Sequence, residues 1–323
     1  MIQFLKKVNY LLSENYINTF KYQPFVQSIL LHRLYPTRKE VVPLNGSITE
    51  GIDVNQFETF IKYFHSRGYG FIDEHDIINE NLSPKGRYIY LTFDDGYYNN
   101  YLALGILKKY QAKATFYITT NHIEEGKSFW WDVVYRERAK QGKDWNFILS
   151  ELQSLYEIKW KDQELYLIKE FGGSALKPLN DLDRPMTKEE LRQFSLHDEV
   201  TLGNHTHNHL NTTLYPKEEL IFSIKKAQEY LAEVSQTNTQ SISYPYGFIN
   251  ESVINIVESL GYKVGITTEE GKNTINEVQD PYYQLRLKRR QLSGFIDMES
   301  QCRSIDVDFS IAATLSSIVK RKI

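Results

Sequence analysis

The chain has 323 residues with 41% apolar and 24% charged side chains, enough to bury a sizeable core as one large α/β barrel or two ordinary domains. A formal net charge of −3 gives no electrostatic footprint for nucleic acid, so none is expected as a partner. Cys302 is the only cysteine, which excludes an intrachain disulfide, and no run approaches the roughly 18 apolar residues of a membrane span.

The first residues, Met1-Ile-Gln-Phe-Leu-Lys-Lys-Val, place two lysines inside an apolar stretch and do not read as a secretory signal. Together with the lone cysteine, this leads to the expectation of a cytoplasmic protein. Phe25-Val-Gln-Ser-Ile-Leu-Leu-His32 reads as a strand ending in a histidine. Asp53 with Gln56 three residues on forms a capping-box pattern, and Phe57, Phe60, Ile61 and Phe64 then mark one helical face before Gly68.

Tyr88-Ile-Tyr-Leu-Thr-Phe93 is β-branched, aromatic and short, as a buried strand should be, and it runs directly into Asp94-Asp95-Gly96. Adjacent carboxylates repel, and a structural site rarely adopts them without a cation or proton to share. A metal resolves the conflict by ligating one Asp and leaving the other as a base toward water. The plainer alternative is an Asx-turn with two solvated acids.

More than sixty residues then separate a strand ending near Thr119 from a capped helix opening at Thr187 and Glu190, far more than an ordinary connection. Periodic patterns in Trp145–Tyr156 and Gln163–Phe171 predict helices, so residues 128–186 read as a folded helical insertion. It opens with Phe129-Trp130-Trp131-Asp132, where the tryptophans suit either sugar stacking or an apolar seam.

After the strand-like Glu199-Val-Thr-Leu202 comes Gly203-Asn-His-Thr-His-Asn-His209, which holds three of the chain's eight histidines within five positions. Such clustering points to a metal. Spacing alone leaves two pairings open: His205 with His209 at i, i+4, or His205 with His207 on one face of a continuing strand. A helix follows Pro216, and Ser241-Ile-Ser-Tyr-Pro-Tyr-Gly247 ends another short strand in a turn. Asn250 opens a helix that Gly261 ends, Tyr262–Thr267 returns as a strand, and Gln284-Leu-Arg-Leu287 is a late strand-like segment. Strands alternating with helices predict a parallel sheet covered by helices, with all three motifs at carboxyl ends of strands, the rim where barrel enzymes build their sites.

Thr92-Phe-Asp-Asp-Gly96, His205-Thr-x-x-His209 and Tyr244-Pro-Tyr-Gly247, in that order, resemble the polysaccharide deacetylase family (NodB-homology domains, carbohydrate esterase family four). The resemblance runs from about Ser28 to Arg286. It implies a single α/β domain over 1–323, a distorted (β/α) barrel of about seven units interrupted by the insertion. It implies Asp94 as general base, and Asp95, His205 and His209 as ligands of Zn²⁺ or another transition metal such as Co²⁺ or Ni²⁺. His207 then falls on a variable position.

Two family features are missing from their usual places. Ser243 stands where the third motif normally carries an Arg that orients the base, and no histidine follows His209 to complete the late Leu-x-His of the general acid. Leu30-Leu31-His32 supplies that pattern at the opposite end, as in the circularly permuted poly-N-acetylglucosamine deacetylases, because first and last strands of a closed barrel are neighbours. His32 is therefore the expected acid and Arg286 the expected replacement for the orienting Arg. The backbone N–H of Tyr246 is the expected oxyanion donor, and Trp130, Trp131, Asp132 and Pro245 are the expected substrate contacts. The implied activity is metal-dependent removal of an N-acetyl group from an N-acetylated amino sugar. A related O-acetyl esterase or deformylase and a non-catalytic carbohydrate-binding relative are the alternatives.

Overall fold

The computed structural model describes residues 24–39 and 51–306, so the segment read for a secretory signal lies outside the described residues. The strands are β1 (Phe25–Leu31), β2 (Arg33–Tyr35), β3 (Gly51–Asp53), β4 (Gly70–Ile72), β5 (Arg87–Phe93) and β6 (Ala114–Ile118). They continue with β7 (Val200–Asn204), β8 (Ser241–Ser243), β9 (Val264–Glu270), β10 (Asn273–Thr274) and β11 (Leu287–Gln291). Seven of them close a parallel barrel in the order β1-β11-β9-β8-β7-β6-β5, and the full-length pairing of β1 with β5 seals it. This is an α/β fold with helices on the outside of the barrel. β4 adds to the first half of β5, β10 runs antiparallel to the start of β1, and β2 pairs with β3 in a separate ribbon.

Period-two alternation sorts the strand side chains. Ile29, Leu31, Ile89, Leu91 and Phe93 pack outward against Phe57, Phe60, Ile61 and Phe64 of the helix Val54–His65, whose capping box between Asp53 and Gln56 is formed. Val26, Tyr90, Tyr117, Val264 and Leu287 fill the interior instead. Asp94 continues the inward set of β5, and His32 follows Val26, Ser28 and Leu30 on β1. The insertion packs as the helices Trp130–Lys140, Trp145–Tyr156 and Trp160–Phe171 around its own cluster of Val133, Val134, Ile148, Leu152, Leu155 and Leu167. Its C-terminal end is tied to the loop after Asp95: Tyr98 N–H donates to the Arg184 carbonyl and Met186 N–H to that of Gly96.

Candidate active site

Asp94 and Asp95 leave β5 at the carboxyl rim of the barrel. Asp95 takes a positive φ of 80°, and Gly96 follows at 91°. That turn points the two carboxylates in different directions. Among the described residues seven non-glycine positions have positive φ, and four of them, Asp95, Thr206, His209 and Tyr246, lie in the three motif loops. Strain of this kind persists only where its surroundings enforce it. After β7, Asn204 Oδ1 accepts from Thr206 N–H at 2.7 Å, and the chain curls so that His205 and His209 return to one point.

The donor atoms of Asp95, His205 and His209 lie within 4.8 Å of one another, and all three residues are buried. His205 Nε2 is 3.6 Å and His209 Nε2 3.4 Å from Asp95 Oδ1. Tetrahedral ligands bound at ordinary Zn–N and Zn–O lengths stand roughly 3.3 Å apart, so these separations suit one small cation. The tautomer of His205 also fits, because its Nδ1 faces the Ser243 carbonyl at 2.7 Å and leaves Nε2 as the lone-pair donor. Burial lowers His205 to about 4, and burial with the neighbouring His205 lowers His209 well below the usual imidazole range. Both rings are neutral at pH 7, as ligation requires.

His207 points elsewhere. Its Nδ1 bonds Thr120 Oγ1 at 2.8 Å and its Nε2 faces Glu124 at 3.7 Å, so of the two pairings left open by spacing the i, i+4 pair is the one that converges.

Asp94 is 2% exposed, and its carboxylate is held by a residue that the sequence reading passed over. Arg289 on β11 donates Nη1 to Asp94 Oδ1 at 2.9 Å and Nη2 to Oδ2 at 2.8 Å. Its other donors go to the Thr267 carbonyl, Thr92 Oγ1 and Ser243 Oγ, and Ser243 Oγ also donates to Asp94 Oδ2. Burial by itself would raise Asp94, but the Arg289 charge outweighs it and holds the carboxyl at about 2.

Arg286 is therefore corrected. Residues 281–284 are helical and β11 begins only at Leu287, so Arg286 precedes the strand and bonds the Tyr282 carbonyl and Glu251. The alternation in Leu287-Lys-Arg-Arg-Gln291 held the signal. Leu287 and Arg289 share the buried face, while Lys288 and Arg290 do not.

His32 lines the same cavity as Asp94, Asp95, His205 and His209, a space of about 820 Å³. Two bonds fix its backbone: Asn100 donates to the His32 carbonyl at 2.8 Å, and Asp94 N–H donates to the Leu31 carbonyl at 2.8 Å. Trp131 and Asp132 also line the cavity. Trp131 stacks on Phe129 and packs its ring 4.8 Å from that of His209. Asp132 pairs with Arg33 and accepts from Tyr97 Oη at 2.8 Å, a buried network that docks the insertion beside His32.

Trp130 and Pro245 are not among the residues lining the cavity. Trp130 sits in the apolar cluster of the insertion and donates to Tyr246 Oη at 2.9 Å, while Pro245 is buried and opens the turn at Tyr246. Both shape the wall from behind. Gly247 is confined to glycine twice over, by its φ of 76° and by Thr268, whose Oγ1 would lie 2.0 Å from an added Cβ.

The profile of the Polysaccharide deacetylase family matches residues 81–265, and the chain belongs to that family. Poly-beta-1,6-N-acetyl-D-glucosamine N-deacetylase of Staphylococcus aureus (strain N315) is 25% identical over 276 residues, covering 83% of this chain and 72% of that protein. YxkH of Bacillus subtilis (strain 168), whose name marks it as a candidate polysaccharide deacetylase, is 23% identical over 220 residues; the match covers 67% of this chain but only 58% of YxkH. Among solved structures, the Streptococcus pyogenes deacetylase PplD in complex with acetate aligns with a TM-score of 0.59 and 20% identity, over 87% of this chain and 97% of that one. IcaB from Ammonifex degensii aligns at 0.57 and 17%, over 88% and 97%. These likenesses show the fold. Among the described residues no helix is long and apolar enough to cross a membrane.

Proposed function

We propose that this protein is a metal-dependent hydrolase that removes the acetyl group from an N-acetylated amino sugar. The observation that carries this reading is an ionised Asp94, clamped by Arg289, beside a carboxylate and two neutral imidazoles converging on one point. Asp95, His205 and His209 would hold zinc, or cobalt or nickel, all of which accept this ligand set. Such an ion polarises the acetamide carbonyl and acidifies water, so that a base as weak as Asp94 suffices.

Asp94 takes the proton of the attacking water. Arg289 fixes the carboxylate's direction at some cost in basicity, with Ser243 and Thr92 bracing the guanidinium. The backbone N–H of Tyr246, in its left-handed turn, donates to the oxygen that gains charge in the tetrahedral state. His32 gives a proton to the departing nitrogen, which an amide needs because a free amide anion leaves poorly. Trp131 and Asp132 form the wall on the insertion side, with an apolar face suited to the carbon face of a sugar.

The first substrate to test is the one named for the staphylococcal relative, a β-1,6-linked N-acetylglucosamine oligomer. Purified protein should release acetate from it, a chelator should stop the release, and a divalent transition metal should restore it. Wild-type protein that releases no acetate from N-acetylated oligosaccharides, even with metal added, contradicts the proposal.

A further inference from the structure

The insertion carries polar side chains into the cavity that the chemistry above does not use. Gln153 and Glu157 stand one helical turn apart, in the last turn and at the C-cap of the helix Trp145–Tyr156; both are exposed and both line the cavity. Among the described residues neither side chain has a hydrogen-bond or ion-pair partner.

That sets Glu157 apart from the other carboxylates of the cavity. Asp94 is paired with Arg289, Asp132 with Arg33, and Glu270 with Arg290, while Asp95 faces His205 and His209. Each inner carboxylate thus faces an arginine or the two converging imidazoles, and Glu157 on the outer wall faces neither. A run of rings connects this wall to the reacting centre. Tyr246 packs 4.6 Å from His209, and Tyr156, the neighbour of Glu157, packs 4.9 Å from Tyr246. Gln153 and Glu157 flank Tyr156 at the end of this run away from His209, where the next unit of a chain bound at the centre would reach them. Phe248, half exposed and next to Tyr246, adds an apolar face.

We propose that Gln153 and Glu157 form a subsite for the sugar unit adjoining the one that reacts, and that Glu157 makes it favour a unit with a free ammonium over an acetylated one. This deepens the function proposed above and rests on it. The Gln153 amide serves hydroxyl groups of either unit. Glu157 distinguishes them: an ammonium gives it a charge-assisted hydrogen bond, whereas an acetamide gives it only a neutral donor. An acetylated unit whose neighbour has already lost its acetyl group is then the better substrate, so each turnover prepares the site for the next unit along.

The test compares pentasaccharides of β-1,6-linked N-acetylglucosamine, fully acetylated or with one amino group free. At low salt, kcat/KM for the best singly deacetylated isomer should exceed that of the fully acetylated chain by about fivefold, the scale of a partly solvated ion pair. Glu157→Gln and high salt should each bring the ratio close to one. A ratio near one in the wild type, or a preference that survives Glu157→Gln, overturns the subsite while leaving the proposed activity standing. Calorimetry with the fully de-N-acetylated pentasaccharide tests the subsite without turnover. Its affinity should fall about fivefold in Glu157→Gln, and equal affinities in the two proteins count against the proposal even if no acetate is released from any chain.

Discussion

Arg289 grips Asp94 with both arms of its guanidinium, Nη1 to Oδ1 at 2.9 Å and Nη2 to Oδ2 at 2.8 Å, between strands that lie on either side of β1 in the closed barrel. Both groups are buried, so neither tolerates the loss of the other. The pair joins the last strand of the barrel to the strand of the first motif, and the Ser243 hydroxyl between them extends the link to β8.

Arg289→Ala should therefore lower stability by about 3–5 kcal/mol, the range for breaking a buried pair, and Arg289→Lys by less. Acetate release should drop about 100-fold in Arg289→Lys, because a single ammonium cannot fix the carboxylate in a plane. Asp94 is depressed in the fold, so its contribution to stability is present above its unfolded value and lost as pH falls toward about 2. Without Arg289, burial raises the carboxyl, protonation of Asp94 then favours the fold, and the stability deficit of Arg289→Ala should narrow as pH falls. Arg286→Ala should leave acetate release close to wild type, since its partner Glu251 is exposed. Loss of activity in Arg286→Ala with full activity in Arg289→Lys reverses this assignment.

Asp95, His205 and His209, proposed to hold the metal, predict a pattern across three histidine variants. His205→Ala and His209→Ala should lose bound transition metal in elemental analysis, and Asp95→Ala should do the same. His207→Ala should keep it, because that ring is engaged with Thr120 and Glu124. Metal retained in His209→Ala but lost in His207→Ala would restore the i, i+2 reading.

Much of this arrangement was legible in the sequence where local rules act alone. The capping boxes at Asp53 and Thr187 and the stripe from Phe57 to Phe64 are set by neighbours within one or two turns, and they formed as read. The motif carboxylates and histidines were legible because few structural roles call for such groups at such density. Arg289 was not, because its role depends on which strand lies across the barrel and on a strand start shifted to Leu287 by the short helix before it. Trp130 and Trp131 are adjacent and chemically alike, yet helical geometry turns one into the cluster of the insertion and the other into the cavity. Sequence alone sees both as the same residue.

Beneath the barrel, Glu74 should make stability fall as pH rises. Its carboxyl is buried against the start of β8, accepting from the Ser241 hydroxyl and from Gln240 N–H at 3.3 Å. Burial raises it from the ordinary 4.5 to about 8. A carboxyl raised in the fold holds a proton there that the unfolded chain releases, so stability declines between pH 4.5 and 8, by at most about 1.4 kcal/mol per pH unit. Glu74→Gln removes the titrating proton and should flatten thermal stability across that window. Equal slopes in the two proteins show that Glu74 does not titrate in the fold.

In the proposed reaction the remaining step, protonation of the leaving nitrogen, falls to His32. The closed barrel seats β1 between β11 and β5, so the residue after β1 emerges beside Asp94 on the same rim. Asn100 and the Asp94 backbone fix the chain there, and Arg33 anchors the next residue to Asp132 of the insertion. Among the described residues lining the cavity, His32 is the one histidine outside the metal trio, which makes it the imidazole available to protonate a leaving nitrogen. An activated ester needs no such proton, because its phenolate leaves unaided. His32→Ala should cut acetate release from N-acetylated oligosaccharides by about 100- to 1,000-fold while changing hydrolysis of an aryl acetate by less than about tenfold. Metal content should stay at the wild-type level, which separates loss of the acid from collapse of the site. A parallel loss on both substrates with metal retained assigns His32 to positioning instead, and undiminished amide hydrolysis removes it from the reaction.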